Sequence, residues 1–130
     1  MDTTLKTIPS IVNDGRGESS WGHHDIALQG DADWMLSEQQ SALNFRLRSS
    51  APGYQSDWHV AGDPTLLLIQ TGTIEIELRD GSLKRFSAGD MFVAQDYLDE
   101  GIEFTDLLGH RARVVGQQTF NALHLKLSKR

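Results

Sequence analysis

Five histidines and the carboxylates near them are the residues able to carry chemistry in this chain. In Asp57-Trp58-His59 an extended backbone puts Asp57 and His59 on one face and Trp58 on the other. A carboxylate and an imidazole so placed can share a metal ion or a proton. His110 opens a second alternating stretch, His110-Arg111-Ala112-Arg113. Asp57, His59 and His110 together make a two-histidine, one-carboxylate set, the facial arrangement that leaves open positions on Fe(II). The competing reading is structural: Asp57 caps a turn or pairs with an arginine, and the histidines are hydrogen-bonded core groups. His23 and His24 are adjacent, so an extended chain sends them to opposite faces; beside Trp21 and Asp25 they read as surface imidazoles near a turn. His124 alternates with Leu123, Leu125 and Leu127, and the sequence does not choose which of the two faces is the interior. Arg46, Arg48, Arg111 and Arg113 alternate in the same way. They either line a polar interior, where they would bind an anionic ligand, or lie on the solvent face.

Other chemistries are absent from the sequence. It has no Gly-rich phosphate loop, no nucleophile elbow and no His-Glu-x-x-His; Ser19, Ser20 and Ser37 carry no nucleophile signature. Zero cysteines exclude a disulfide framework and every thiolate metal site. Lys and Arg number 12 against 18 Asp and Glu, a net charge of −6, which argues against a nucleic-acid partner. The longest apolar run, Leu66 to Ile69, is too short to span a bilayer. The first residues, MDTTLKTIPS, lack the apolar core of a signal peptide, so the expectation is a cytoplasmic protein with no membrane partner. A length of 130 residues suits one domain.

The elements that must position these residues read as strands. Leu43 to Arg48 alternates apolar and polar residues, Leu66 to Ile69 is a short apolar run expected to be covered on both faces, and Ile74 to Leu78 alternates again. Asp80-Gly81 then signals a hairpin of type I′, with a second strand over Leu83 to Phe86. Further short strands follow at Met91 to Ala94, Arg111 to Val115 and Phe120 to Leu127. No stretch sustains a helical period, so the expected fold is an all-β sandwich or barrel. Residues 1–20 are polar and turn-rich and are expected to form an N-terminal arm before a barrel domain at 21–130; Ile8, Ile11 and Val12 could pair as an edge strand. Five acids and no base lie between Asp96 and Asp106, in a loop that Leu98, Ile102 and Leu107 could pin into a turn of helix ending at Gly109.

The order of these pieces resembles the cupin superfamily. Its first motif, G-x5-H-x-H-x3–4-E-x6-G, is similar to the stretch Gly53, His59, Ala61, Thr65, Gly72, with alanine and threonine in place of the second histidine and the glutamate. The second motif, G-x5-P-x-G-x2-H-x3-N, starts at Gly89-Asp90, has Gln95 where the proline belongs and His110 as its histidine. Pieces shared with small single-domain cupins of an uncharacterised group run over residues 16 to 127. The resemblance implies a double-stranded β-helix, a small β-barrel in which His59 and His110 face each other, and a homodimer.

A metal-bearing cupin offers three histidines and a glutamate, and two of those four are missing here. The first expectation is therefore a barrel that binds a small organic ligand, with a degenerate metal site. His59, Gln95 and His110 would be polar contacts, Trp58 would pack beside them, and residues 96–108 would form a lid. The alternatives are an Fe-, Mn- or Zn-dependent oxygenase, isomerase or lyase using His59, His110 and Asp57, or a metal-free acid–base enzyme.

Overall fold

Alternation turns most of the chain into two-faced strands. The computed structural model describes residues 2–130, so Met1, the first residue of the expected arm, lies outside the described residues. Ten strands follow in order: β1 Asp2–Val12, β2 Ser20–Asp31, β3 Trp34–Ser37, β4 Asn44–Ser50, β5 Thr65–Thr71, β6 Thr73–Leu78, β7 Leu83–Ser87, β8 Met91–Ala94, β9 His110–Val115 and β10 Phe120–Lys126. They make a seven-stranded sheet, β3-β2-β1-β8-β5-β10-β4, and a three-stranded sheet, β7-β6-β9. The all-β expectation holds. Among the described residues no helix is long and apolar enough to cross a membrane.

The register fixes which side chains turn inward. His124 of β10 lies between Arg46 of β4 and Leu67 of β5, and Leu67 in turn pairs with Phe92 of β8. In the small sheet, Leu78 pairs with His110 and Ile76 with Ala112. Ile69, Ile74, Ile76, Phe92, Val114 and Phe120 bury the space between the sheets, and Phe86 stacks on Phe92 at 4.4 Å between ring centroids. The opposite face of the large sheet carries the leucines that alternate with these residues. Phe45 stands beside Leu125 and Leu125 beside Leu66, and this face remains open, with Phe45 66% and Leu47 70% exposed. The Leu66–Ile69 run is thus covered on one face only: Leu67 and Ile69 are buried, while Leu66 and Leu68 are half-buried.

Two expectations, a type I′ turn and a turn of helix, are corrected. Residues 2–12, within the expected arm, are strand β1. They pair along β2 from Asp2–Gly30 to Val12–Ser20, run parallel to β8 at Ser10–Val93 and Ile11–Ala94, and bury Ile8 and Ile11. The β-branched residues Thr3, Thr4, Thr7, Ile8, Ile11 and Val12 favour that extended state. The hairpin at Asp80-Gly81 is not type I′, which needs two left-handed residues; Gly81 alone has positive φ (86°), and its N–H donates to the Leu78 carbonyl at 3.0 Å. The 96–108 segment contains turns and no helix.

Gly72 links β5 to β6 with φ 79°, and a Cβ there would lie 2.7 Å from the Thr119 carbonyl oxygen and 2.8 Å from Phe120 Cα. Both neighbours are backbone and cannot swing aside. Gly72→Ala is expected to destabilise the chain by about 1–3 kcal/mol, read as a lower urea midpoint at unchanged slope; an unchanged midpoint would contradict this packing.

Candidate functional site

Five backbone hydrogen bonds bring the two key imidazoles together. Residues 53–59 run antiparallel to β9: Gly53 N–H donates to the Val114 carbonyl (3.1 Å), Val114 to Tyr54 (2.8 Å) and Ser56 to Ala112 (2.8 Å). His59 and His110 then exchange N–H donors with each other's carbonyls, both at 2.8 Å. The rings sit with centroids 4.5 Å apart. Close approach depends on Gly109, where a Cβ would lie 2.5 Å from the His59 carbonyl oxygen.

Asp96 follows β8 and is fully buried. One carboxylate oxygen lies 2.7 Å from His110 Nδ1 and accepts from Ser19 Oγ at 2.5 Å; the other accepts from the Ala61 N–H at 3.0 Å. A carboxylate in this position fixes the tautomer: Nδ1 carries the proton and Nε2 is left for the cavity. His59 is held alike, its Nδ1 2.8 Å from the Asp57 carbonyl oxygen, which can only accept. The walls around His59 desolvate its ring and lower its pKa; the bond to Asp57 opposes this, and the neighbouring His110 adds to it.

The imidazoles border an open cavity of about 370 Å³ between the sheets. Leu67, Ile74, Ile76 and Phe92 form an apolar wall, and Arg46, Arg48 and His124 a polar one. Arg48 is half-buried. Its Nε donates to Ser50 Oγ at 3.0 Å, and its guanidinium lies 5.1 Å from the Phe120 ring centroid and 5.5 Å from that of Tyr54. Burial lowers its pKa. His124 Nε2 is buried without a hydrogen-bond partner. Burial, then the charges of Arg48 and Arg46, push its pKa down to about 4.

Several expected site residues are elsewhere. Trp58 does not line the cavity; the guanidiniums of Arg79 and Arg111 sit 3.9 and 4.7 Å from its ring centroid. Gln95 does not line it either. Its backbone N–H donates to the Ile11 carbonyl at 3.0 Å, and its own carbonyl accepts from Arg130. Asp57 meets His59 through its carbonyl oxygen, and Trp58 is a bend, so two-residue alternation does not carry from 57 to 59. Among the described residues no group of three His, Cys, Asp or Glu could hold a metal. Structural and catalytic zinc sites take three or four protein ligands, and the two imidazoles here do not fit a resident metal. None of residues 97–108 lines the cavity. The expected lid packs instead on residues 13–17, with Asp99 N–H on the Gly15 carbonyl, Gly109 N–H on Gly17, and Asn13 Nδ2 on Tyr97. Arg111 and Arg113 are outside, paired with Glu77 and Glu75 at 2.7 Å each.

No family model matches the chain, and no curated protein matches it. Solved structures do. A cupin-2 domain-containing protein from Shewanella frigidimarina shares 19% identity over 65% of this chain and 69% of its own, with a TM-score of 0.47. A protein from Neisseria meningitidis shares 20% over 70% and 84%, with a TM-score of 0.48. The cupin domain of Schizosaccharomyces pombe Cnp3 shares 8% over 94% and 84%, with a TM-score of 0.46. Two of these three are cupin domains. At such identities and TM-scores the likeness carries no functional argument, and the site rests on the chain's own geometry.

His124 gives a pH signature. Its folded pKa of about 4 lies below the ordinary 6.5, so between these values the unfolded chain binds more protons and stability falls as pH falls. Wild type should lose stability relative to His124→Gln as pH drops from about 6.5 to about 4, measured by urea unfolding at several pH values. Parallel curves would contradict a buried, neutral His124.

Proposed function

We propose that this chain is a small cupin-type barrel that binds a small organic ligand between its sheets, beside His59 and His110. The observation that carries the reading is a cavity of about 370 Å³ with an apolar wall and several polar groups converging on it, the common form of a ligand pocket. His59 stands at the open side and contributes a polar edge that the backbone fixes in orientation.

One observation favours a second reading. The buried Asp96 carboxylate against His110 Nδ1 suits metal-free acid–base chemistry, in which His110 Nε2 takes a proton from a bound molecule. Asp96 would then act as a positioning residue, orienting the ring without touching the ligand.

The two readings separate experimentally. A small-molecule screen should find ligands that raise the melting temperature, by the equivalent of about 2.7 kcal/mol at one hundred times the dissociation constant. His59→Ala should abolish that shift while the unliganded protein stays folded; an unchanged shift removes His59 from the site. Conversion of the ligand by wild type, lost in Asp96→Asn at unchanged affinity, would select the enzyme; binding without conversion selects the ligand-binding barrel.

A further inference from the structure

We propose that the interior ligand is an organic carboxylate, with its carboxylate held by Arg46 and Arg48 beside His124 and its apolar body against Leu67, Ile76 and Phe92. This rests on the reading that the interior binds a small molecule. It names the chemical class that the cavity takes.

The argument is one of unmatched charge. The arginines on the outer face of the small sheet, exposed Arg85 and Arg113 and half-buried Arg111, all have carboxylates: Arg85 and Arg113 share Glu75 at 2.8 and 2.7 Å, and Arg111 holds Glu77 at 2.7 Å. Arg46 and Arg48 are two apart on β4, so they turn to the same face, and both line the cavity. Among the described residues neither forms an ion pair with any acid. No Asp or Glu lines the cavity at all. Asp96 is not a substitute, because Ser19, Ala61 and His110 already occupy its oxygens. Arg48, half-buried where Arg46 is exposed, is a cation taken partly out of water without a counter-charge, which is costly, and an anionic guest removes that cost.

Geometry narrows the anion. A guanidinium is a planar fork that matches a carboxylate with two parallel hydrogen bonds. Arg48 spends its Nε on Ser50, which leaves its terminal nitrogens for a guest. His124 sits in register with Arg46, and its buried Nε2 has no protein partner. The groups facing His124 are Arg46 and Arg48 from β4 and Leu67 from β5, with His59 and His110 on the other cavity wall; Lys126, two residues on along β10, is paired with Asp63 at 3.3 Å. Nothing among them stabilises a proton on His124, whereas a bound carboxylate would. The apolar wall opposite excludes a fully hydrated inorganic ion as the best fit and favours a carboxylate on an apolar frame.

The test uses benzoate and its neutral isostere benzamide, with inorganic phosphate as a third probe, against wild type, Arg48→Gln and Arg48→Lys. Calorimetry gives affinity and ring NMR of His59, His110 and His124 locates the guest. Benzoate is expected to bind at least tenfold tighter than benzamide and phosphate, and to raise the His124 pKa from about 4. Arg48→Gln should remove the preference for benzoate while benzamide affinity is unchanged, and Arg48→Lys should restore part of it. Benzamide binding equal to benzoate, with the interior ring signals shifting for both, would overturn the carboxylate and leave the interior site standing. Phosphate binding as tightly as benzoate would overturn the apolar frame. No shift of any interior ring with any probe would overturn the interior site and this proposal with it.

Discussion

The buried carboxylate of Asp96 is the interaction on which the site depends. A charge with no solvent exposure is tolerated only with hydrogen bonds on its oxygens, and here they come from three separate parts of the chain. Ser19 lies in the loop between β1 and β2, Ala61 in the segment beyond the 53–59 strip, and His110 at the start of β9. The same carboxylate therefore ties these three segments together and orients an imidazole. The bonds from Ser19 and His110 are short, at 2.5 and 2.7 Å, so the ring is fixed by geometry that side-chain packing alone would not supply.

Around that anchor the protein treats its two sheets differently. The outer face of the small sheet is an ion-pair lattice: Glu75 is 4% exposed beneath Arg85 and Arg113, whose hydrogen bonds hold its pKa below the usual carboxylate range. The outer face of the large sheet is apolar, with Phe45 and Leu47 open. The inner face is apolar on β5, β6 and β8 and cationic on β4. The guanidiniums on the outer face of the small sheet thus meet carboxylates, whereas Arg46 and Arg48 at the cavity meet none among the described residues.

Much of this was legible in the sequence. Alternation at Leu43–Arg48, Ile74–Leu78 and Phe120–Leu127 gives real strands, because side-chain direction follows the period of two. Spacing alone does not bring residue 110 to residue 59; the resemblance carried by Gly53, His59, Gly72 and His110 implies that the two imidazoles face each other, and they do meet. Alternation also limits what can be read. It places His124 opposite the leucines but does not say which face is the interior, since an apolar row here covers the outside of the sheet. It cannot separate Arg46 and Arg48 from Arg111 and Arg113, because that depends on which neighbours turn inward. Asp57 and Gln95 mislead for a related reason: one lies next to a bend and the other past the end of β8, where strand phase no longer applies. Asp96, adjacent to Gln95, is the residue the site uses. Its position at the edge of an acidic run and in the Gln95-Asp96 piece of the resemblance does not signal that role, because long-range contacts to residues 19, 61 and 110 are invisible to local pattern.

The claim that matters most is that Asp96 keeps the proton of neutral His110 on Nδ1 and leaves Nε2 to the cavity. Long-range nitrogen–proton NMR of the wild-type chain at a pH of about 9, above the imidazole range, measures this directly. The account predicts the Nδ1–H tautomer for His110, unlike the Nε2–H form that a free histidine prefers. An Nε2–H tautomer at His110 would contradict it.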